Sequence, residues 1–488
     1  MNTNAGNKCL IIDLTHGGVK LASKISKLKA FKDVYIYDIY KTAQKKDKDL
    51  LNSLNVKLID NLKDLEGNIL VISPIHLPLT NEEIIKEINN NKNTYRFMTH
   101  HEAVKFILND FLKKHNNLDI IEITGVKGKT SSGFILNEIL KKHNTLLLSS
   151  LGAFIFKNET KYKLKENISI TPANILETID LAEKIKNPPC SIKEKSDDID
   201  YNISIFENSL GTCGIGDVGL LTNIIENYKI ANAKKDASNA KKQIFNCKLV
   251  VIEEETLNKF YQKESEEYKD KINTFSINPE NSKANLVLKD VKYSLDKTIL
   301  KIEYNSIITK NKDLLTGKIE IETFALGPHH LQNILGAITT SLTLNISKKE
   351  IIEGLTSFKG LKGRSSIKQL DKNHIIEEIN PGLNTKSIKA SIDMLQDIEN
   401  YYIIIGGSYG ITCEEIDEEK LAKYLDNLSN NDKYNLILTG ELGRSLQNKI
   451  NNKIDFVDDY KEAQKIATQN NKNILFIYRS NYKDLSKR

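Results

Sequence analysis

Short apolar runs alternate with polar or amphipathic stretches along most of the chain. Such alternation is typical of α/β folds, in which buried strands are separated by helices. Residues 285–324 instead alternate apolar and polar side chains without a helical period, which indicates antiparallel strands appended to the α/β core. The predicted helices span 100–115, 131–142, 330–344 and 348–357. The predicted core strands span 8–14, 34–39, 68–73, 118–124, 144–148, 201–207, 217–223, 248–253, 374–379, 401–405, 435–438 and 473–478.

The order of these elements divides the chain into three predicted α/β domains, residues 1–117, 118–364 and 365–488. The last has the alternating strands and helices of a Rossmann-like unit. The length of 488 residues agrees with this number, since a domain has roughly 100 to 200 residues. Stretches rich in Asn and Lys, at 88–93 and 113–117, precede the end of the first domain.

Composition and charge exclude several classes of protein. The 70 Lys and Arg residues against 64 Asp and Glu residues give a net charge of +6 without a basic arm, which argues against a nucleic-acid-binding protein. The five cysteines include no CxxC pair, as expected in a reducing compartment. No apolar run reaches the roughly 18 residues that cross a bilayer, so we expect a cytoplasmic protein that does not associate with membranes.

One motif carries recognisable chemistry. The strand 118–124 leads through two glycines, a lysine and a threonine into the helix 131–142, which is the layout of a phosphate-binding loop. The long form of this loop has a glycine where the chain has Ile123, so the sequence fits only a shorter form. The alternative is an ordinary turn between a strand and a helix. The predicted ATP-binding residues of the loop are Thr124, Gly125, Val126, Lys127, Gly128, Lys129, Thr130 and Ser131.

Residues 124–131 resemble the ATP loop of the Mur ligases, three-domain enzymes that activate a carboxylate as an acyl phosphate. The resemblance implies a central P-loop ATPase domain between an N-terminal substrate-binding domain and a C-terminal Rossmann-like domain. Thr171 and Pro172 resemble the pair that follows the second central strand of the family, and Glu207 resembles its Mg²⁺-binding glutamate. Taken alone, Glu207 also fits a surface residue at a strand end.

Further positions resemble the family in the expected order. Lys241 resembles a lysine that is carbamylated and binds a second Mg²⁺, although a solvated helix face fits it nearly as well. Asn333 is the best match in the segment that holds adenosine. Arg364 resembles the hinge arginine that reaches the γ-phosphate, a role that suits its bidentate fork. Glu378 stands at the entrance of the third domain, where a solvated strand end is the alternative.

By this resemblance the expected catalytic residues are Lys129, Glu207, Arg364 and Glu378, and the expected metal ligands are Thr130, Glu207 and Lys241. Two departures change the expected chemistry. Asn227 and Tyr228 stand where the family commonly has Asp-His, which weakens the case for a second Mg²⁺. The third domain also lacks the family's amino-acid-selecting motif, and residues 477–480 stand there instead. An incoming amino acid therefore has no evident docking site.

Several stretches resemble one branch of the family more closely, the ligases that complete the nickel tetrapyrrole of methanogens. The resemblance implies that ATP phosphorylates a propionate of a nickel-containing seco-acid and that a ring carbon attacks the acyl phosphate, releasing ADP and phosphate. ATP and Mg²⁺ are then the cofactors, nickel is carried by the substrate, and the chain acts as a monomer. The stretches are residues 13–18, 99–104, 207–219, 379–382 and 478–480.

The substrate-binding residues that this branch implies are His16, Gly17, Gly18, His100 and His101. The base that activates the ring carbon is not identified by the sequence, and Glu378 and His100 are candidates. Two other functions remain open. One is an amide-forming Mur-type ligase that adds an amino acid to a cell-wall precursor. The other is a nucleotide-binding regulator, which would need only Lys129, Thr130 and Glu207.

Overall fold

The computed structural model describes residues 8–88, 93–185, 201–280, 282–293, 297–325, 327–362, 365–370, 372–379, 383–393, 395, 401–409, 416–431, 434–470 and 472–480. The chain divides into two compact units. The first comprises Met1–Lys289, Ile302–Lys318 and Gln332–Gly354, and the second comprises Asp290–Lys301, Ile319–Leu331 and Leu355–Arg488. None of the described helices is long and apolar enough to cross a membrane.

A five-stranded parallel sheet forms the N-terminal part of the first unit. Its strands are β1 Lys8–Ile12, β2 Asp33–Tyr37, β3 Val56–Ile59, β4 Asn68–Ser73 and β5 Thr94–Thr99, and its helices are α1 Gly18–Lys27, α2 Lys45–Ser53, α3 Asn81–Ile88 and α4 His100–Lys114. The strand order is β3-β2-β1-β4-β5. Successive residues of β1 enter different core clusters, so β1 is buried on both faces. Because β1 and β4 are neighbours, the loops that follow them meet at one edge of the sheet.

The second sheet has eleven strands in the order β18-β17-β16-β15-β14-β11-β6-β10-β7-β8-β9. The central strands β14, β11, β6, β10 and β7 are parallel, and β8 and β9 continue the sheet as an antiparallel hairpin. Its strands are β6 Asp119–Thr124, β7 Thr145–Ser149, β8 Gly152–Lys157, β9 Thr160–Lys165, β10 Ile203–Glu207, β11 Val218–Leu221, β14 Leu249–Glu253, β15 Ile272–Ser276, β16 Leu286–Lys292, β17 Thr298–Ile308 and β18 Leu314–Thr323. The strands β12 Lys229–Ile230 and β13 Lys235–Asp236 form a separate antiparallel pair.

Helices connect these strands and continue to residue 357. They are α5 Lys129–Ile139, α6 Ala173–Ile185, α7 Ala237–Lys241, α8 Glu254–Phe260, α9 Gln262–Glu267, α10 Pro328–Thr343 and α11 Lys348–Ser357. Short 3₁₀ segments span Leu62–Asp64, Lys242–Asn246 and Lys269–Lys271. The parallel strands place their carboxyl ends at one edge of the sheet, where ligands of open α/β sheets bind.

The second unit contains a six-stranded sheet in the order β19-β20-β24-β21-β22-β23. Among the described strand pairs of this sheet, only β19–β20 is antiparallel. The strands are β19 Ser365–Leu370, β20 Asn373–Ile379, β21 Tyr401–Gly407, β22 Asn435–Thr439, β23 Asp455–Val457 and β24 Asn473–Arg479. The helices are α12 Thr385–Asp393, α13 Glu418–Ser429, α14 Gly440–Gln447 and α15 Tyr460–Gln469. Apolar clusters cover this sheet, as expected for a doubly wound domain.

The predicted α/β class is confirmed, and each predicted core strand corresponds to a strand of the structure. The predicted helix 131–142 is shifted, because α5 already begins at Lys129, after Gly128 in a left-handed conformation, and ends at Ile139. Strands β3, β5, β8, β9, β12, β13, β15, β19 and β23 were not predicted. No residue of β5 is fully buried and five of the six residues of β9 are exposed, so these two lack the buried apolar run that marks a core strand.

Candidate active site

A tight turn between β6 and α5 forms the predicted phosphate loop. Gly125 has a φ of +143° and Gly128 a φ of +85°, a region that residues with a Cβ rarely adopt. A Cβ on Gly125 would lie 2.0 Å from Thr222 Oγ1, and a Cβ on Gly128 would lie 2.0 Å from Asn333 Oδ1. Both glycines are therefore required by the backbone path and by the close approach of a neighbouring side chain.

The end of strand β11 holds this loop in place. Val126 donates its N–H to the Asn223 carbonyl at 3.0 Å, and Lys127 donates its N–H to Asn223 Oδ1 at 3.2 Å. The Thr222 hydroxyl donates to the Lys127 carbonyl at 2.6 Å. These bonds fix the loop at the N-terminus of α5, where the helix dipole and the first-turn N–H groups favour an anion.

Thr130 and Glu207 come together at the carboxyl edge of the central sheet. Glu207 ends β10, the neighbour of β6, and the Thr130 hydroxyl lies 3.0 Å from each of its carboxylate oxygens. The backbone N–H of Ser150 donates to Glu207 Oε2 at 2.9 Å. Glu207 is buried, so the alternative of a surface residue at a strand end is wrong. A carboxylate beside hydroxyl groups offers the hard oxygen ligands that Mg²⁺ prefers, so these residues fit the ion.

The remaining predicted loop residues surround the same point. Lys129 folds over its own loop and donates from Nζ to the Gly125 carbonyl at 3.1 Å. Ser131 is half-buried in the first turn of α5. Asn333, on α10, lies beside the loop, because its Oδ1 accepts from the Ser132 hydroxyl at 3.4 Å. The structure thus brings Asn333 to the phosphate loop from about 200 residues away in the sequence.

Lys241 lies at the end of α7, and only 1% of it is exposed. The alternative of a solvated helix face is therefore wrong. Burial first, and the positive charge of Lys129 second, lower the pKa of Lys241 to about 7. Its Nζ lies 5.7 Å from the ring centroid of Tyr228, the residue that departs from the Asp-His pattern. A neutral amine is thus accessible at this position near neutral pH.

A cavity of about 170 Å³ opens between the N-terminal sheet and the central sheet of the first unit. Four histidines line it, and the predicted substrate residues His16, His100 and His101 are among them. The complete lining is His16, Pro74, Ile75, His76, His100, His101, Thr171, Pro172, Ser209 and Leu210. The cavity therefore brings together the Thr171-Pro172 pair and four other stretches that lie far apart in the sequence.

The positions of His100 and His101 follow from a local signal. Thr99 accepts the N–H of Glu102 at 3.1 Å while Glu102 accepts the N–H of Thr99 at 2.7 Å, a capping box that starts α4 at His100. His100 Nε2 donates to the Ile12 carbonyl at 3.3 Å, and His101 Nε2 donates to the Ser209 carbonyl at 3.0 Å. Because each Nε2 donates to a carbonyl, each Nδ1 carries a lone pair, and neither Nδ1 has a partner among the described residues. Burial lowers the pKa of both imidazoles to about 4, so both are neutral at pH 7.

The loop after β1 contributes a second group to the cavity. His16 Nδ1 donates to the buried carboxylate of Asp13 at 2.5 Å, and the Thr15 hydroxyl donates to the same carboxylate at 2.6 Å. Burial would raise the pKa of Asp13, but these hydrogen bonds hold it below its usual value. The His16 ring lies 4.1 Å from the ring of His76, whose pKa is lowered to about 4 by burial and by His16. Asp13 and His76 were not predicted as site residues.

Gly17 and Gly18 are not among the residues that line this cavity. Gly17 has a φ of +97°, and a Cβ there would lie 2.5 Å from the Cβ of Ala173 on α6. A Cβ on Gly18 would lie 1.8 Å from the Asp13 carbonyl oxygen. Gly17 is thus explained by packing of the loop against the central domain, and Gly18 by the close approach of the loop's own backbone. Substrate binding by either glycine stays a prediction.

The cavity wall that carries Ser209 and Leu210 depends on a buried carboxylate in β6. Glu122 accepts the backbone N–H groups of Cys213, Ile215 and Gly216 at 2.6, 2.8 and 3.0 Å. Burial raises the pKa of Glu122 although these donors oppose the shift. A single strand residue therefore anchors the loop 208–216. Sequence patterns do not indicate this role, because Glu122 stands inside an apolar run.

Other predicted residues lie in the second unit or outside the described residues. Glu378 is buried near the end of β20, and His329, His330 and Glu378 each offer a ligand atom within 4.8 Å of one another. Its neighbour Glu377 forms an ion pair with Lys368. Arg364 lies outside the described residues, so its role stays a prediction.

A family model described as "Coenzyme F430 synthetase CfbE, C-terminal domain" matches residues 367–481. The chain is 31% identical over 462 residues to the coenzyme F(430) synthetase of Methanocaldococcus jannaschii, which covers 91% of this chain and 93% of that protein. It is 28% identical over 455 residues to the coenzyme F(430) synthetase of Methanosarcina acetivorans, which covers 89% of this chain and 90% of that protein.

Solved structures of Mur ligases share the fold. MurF from Acinetobacter baumannii aligns with a TM-score of 0.55 at 13% identity, over 87% of this chain and 90% of that one. The MurF ligase from Thermotoga maritima in complex with ADP aligns with a TM-score of 0.52 at 15% identity, over 86% of this chain and 93% of that one. The predicted Mur ligase-like architecture is therefore confirmed as a fold.

Proposed function

The chain belongs to the coenzyme F(430) synthetase family of Mur-type ligases, and from that premise we propose that it uses ATP to close a carbocyclic ring. The proposed substrate is a nickel-containing tetrapyrrole seco-acid. A propionate oxygen attacks the γ-phosphorus of ATP, ADP leaves, and an acyl phosphate forms. A ring carbon gives up a proton to a base and attacks the acyl carbon, and phosphate leaves with the bonding electron pair. The product has lost one water relative to the acid.

The observation that carries this proposal is the continuity between the phosphate loop and the histidine-lined cavity. Glu207 contacts Thr130 of the loop, and Ser209 and Leu210 already line the cavity. Two residues separate the Cα atoms of Glu207 and Ser209 by at most about 7 Å. A carboxylate arm of a ligand in the cavity is thus within reach of a γ-phosphate in the loop, as phosphoryl transfer requires.

The residues of the loop suit this transfer. Lys129 and the N–H groups at the start of α5 neutralise charge on the phosphates, where the transition state concentrates it. Thr130 and Glu207 would hold Mg²⁺, which when bound neutralises phosphate charge. Arg364 is expected to add a bidentate contact to the same group. The loop is already fixed by Thr222 and Asn223, so little reorganisation opposes the reaction.

Lys241 fits the proposed carbamate. A neutral amine nitrogen attacks carbon dioxide, an N–C bond forms and a proton is released. The pKa of about 7 supplies that neutral amine near neutral pH, and the product exchanges a buried cation for an anion that Lys129 attracts. Activity that rises with dissolved carbon dioxide in the wild type, and that is low and independent of it in Lys241→Met, would support the carbamate.

The proton of the ring carbon needs an acceptor in the cavity. His100 supplies a candidate, because its Nδ1 carries a lone pair without a partner among the described residues. Glu378 is the second candidate and lies in the second unit. Loss of ring closure with continued ADP release in His100→Asn would assign the role to His100. The same result in Glu378→Gln would assign it to Glu378.

The proposed function is tested by phosphate release from Mg-ATP by the purified chain. The nickel seco-acid is compared with free amino acids combined with cell-wall precursors. We expect release only with the tetrapyrrole, with loss of the mass of one water from it. Release only with an amino acid and its acceptor would make the chain an amide-forming Mur ligase. Nucleotide binding without release under any condition would favour a regulator.

A further inference from the structure

We propose that Asp13, His16 and His76 form a coordination site for a divalent transition-metal centre. The three side chains each offer one ligand atom, and these atoms all lie within 4.8 Å of one another. Ligands on opposite sides of one ion, each about 2.1 Å from it, are about 4.2 Å apart, so a small side-chain movement closes the set. Two imidazoles and one carboxylate leave positions open for a further ligand.

The fold explains why these residues meet. Asp13 and His16 lie in the loop after β1, and His76 lies in the loop after β4, the adjacent parallel strand. Neither loop takes part in the phosphate chemistry proposed above. The site therefore lies at the carboxyl edge of the N-terminal sheet, on the wall of the cavity to which the phosphate loop leads.

An unpaired nitrogen atom and a shared proton point to a metal. His76 Nε2 is buried and has no hydrogen-bond partner among the described residues. His16 Nδ1 and Asp13 Oδ2 lie 2.5 Å apart with one proton between them, and an ion that replaces this proton takes both atoms as ligands after a small separation of the two side chains. About 43% of the His16 side chain is exposed, and the residue lines the cavity, so an ion reaches the ring from there.

The charges around the cluster disfavour an anion. The residues that line the cavity include no Lys or Arg, and the carboxylate of Asp13 lies directly behind His16. The ammonium of Lys235 donates to the Ile75 carbonyl at 3.2 Å, so it is held by the backbone of the cavity wall. Imidazole nitrogens beside a carboxylate suit borderline ions such as Ni²⁺ and Co²⁺ better than they suit phosphate.

Two sources supply a metal centre with this coordination chemistry. One is a free divalent ion held by all three side chains. The other is the nickel of the tetrapyrrole, which would take one imidazole as an axial ligand, and this source rests on the function proposed above. If the source is a free ion, removal of the imidazoles weakens binding of the metal alone. If the source is the nickel of the tetrapyrrole, removal of the imidazoles changes only the binding of the macrocycle.

The first arm of the test titrates the full chain with Co²⁺, followed by the visible absorption of the ion. Excess Mg²⁺ is present to fill the oxygen site at Thr130 and Glu207. We expect one ion to bind, and His76→Ala and His16→Ala each to weaken it at least about tenfold, since even outer partners of a metal site contribute 10- to 100-fold. His329→Ala tests whether Co²⁺ binds instead to the cluster of the second unit that contains His329. His115→Ala, at the far end of α4, is the matched control.

The second arm mixes the chain with the nickel seco-acid and with its metal-free form. An absorption change of the nickel chromophore in the wild type that is absent in His76→Ala and His16→Ala, with equal binding of the metal-free form, identifies the substrate nickel as the source. Cobalt binding that depends on the histidines without such a change identifies a free ion. The proposal is overturned if neither arm responds to the substitutions in variants with the wild-type circular dichroism. If the macrocycle does not bind at all, the proposed function fails and the cobalt arm alone decides the site.

Discussion

The phosphate loop and the histidine-lined cavity lie in the same unit but are built in opposite ways. In the loop, Thr130 bonds Glu207 and Lys129 bonds its own backbone. In the cavity, ring nitrogens of His76, His100 and His101 have no partner among the described residues. A buried polar atom without a partner costs about 1 to 3 kcal/mol, so a ligand that bonds these nitrogens would regain that free energy. The polar groups of the loop are thus paired with one another, whereas the cavity presents polar atoms to a ligand.

The largest expected effect comes from a substitution in the phosphate loop. Lys129→Ala removes the ammonium that we propose to neutralise the phosphates, and we expect phosphate release to fall at least about a hundredfold with the fold intact. Lys113→Ala, whose side chain is 71% exposed, removes the same charge elsewhere and is the control. Near-normal turnover of Lys129→Ala would remove the loop from the mechanism.

The proposed metal ligand Glu207 gives the next effect. Glu207→Gln keeps the size of the side chain but removes its negative charge, so we expect about ten times more Mg²⁺ to be needed for half-maximal phosphate release. Saturating Mg²⁺ should recover part of the rate. A Mg²⁺ dependence equal to that of the wild type would show that Glu207 does not bind the ion.

A substitution of Gly128 tests how strongly the conformation of the phosphate loop is fixed in the folded protein. Gly128→Ala places a Cβ 2.0 Å from Asn333 Oδ1 at a φ of +85°, and we expect a loss of about 2 to 3 kcal/mol in the free energy of unfolding by urea. Gly67→Ala is the matched control, because its φ is +99° but nothing lies within 4 Å of the added atom. It should lose only about 1 kcal/mol. Equal losses would show that backbone strain, and not the contact with Asn333, matters at Gly128.

The smallest effect concerns the cavity and depends on pH. The folded pKa of His101 is about 4, below its unfolded value of about 6.5, so the unfolded chain binds more protons between these values. The contribution of neutral His101 to the free energy of unfolding is therefore fully present above about pH 6.5. It is lost as the pH falls toward 4, by at most about 1.4 kcal/mol per pH unit.

His101→Gln retains a donor for the Ser209 carbonyl but does not titrate. We expect its urea midpoint to fall less steeply between pH 6.5 and pH 5 than that of the wild type. His115→Gln, in which a half-buried ring at the opposite end of α4 is replaced, should keep the wild-type slope. A wild-type slope in His101→Gln would mean that the buried imidazole does not govern acid sensitivity.

The parts of the site that could be predicted are those written in consecutive residues. The spacing of Gly125, Gly128 and Lys129 specifies a turn whose geometry is local, so it needed no knowledge of the rest of the chain. Glu207 was recognisable because it ends an apolar strand, and parallel neighbours bring their ends together. His76 carries no such signal, because only the pairing of β1 with β4 places it beside His16.

Lys241 shows that burial cannot be predicted from a local sequence pattern. In sequence it stands in a short polar segment that fits an exposed helix equally well, and only its surroundings in the folded chain bury it and lower its pKa. Glu122 is similar, since an apolar strand gave no reason to expect a carboxylate that binds three backbone N–H groups. Burial depends on distant neighbours, which a local pattern does not contain.

The sequence by itself determined the α/β class, the phosphate loop and the capping box that sets His100 and His101 at the start of α4, because periodicity, turn chemistry and capping act over a few residues. The tertiary structure decided which side chains share a cavity. The order of the strands brings the loops after β1 and β4 to one edge, and burial there leaves imidazole nitrogens unpaired. Such juxtaposition arises from contacts between residues far apart in the chain, and no local signal encodes it.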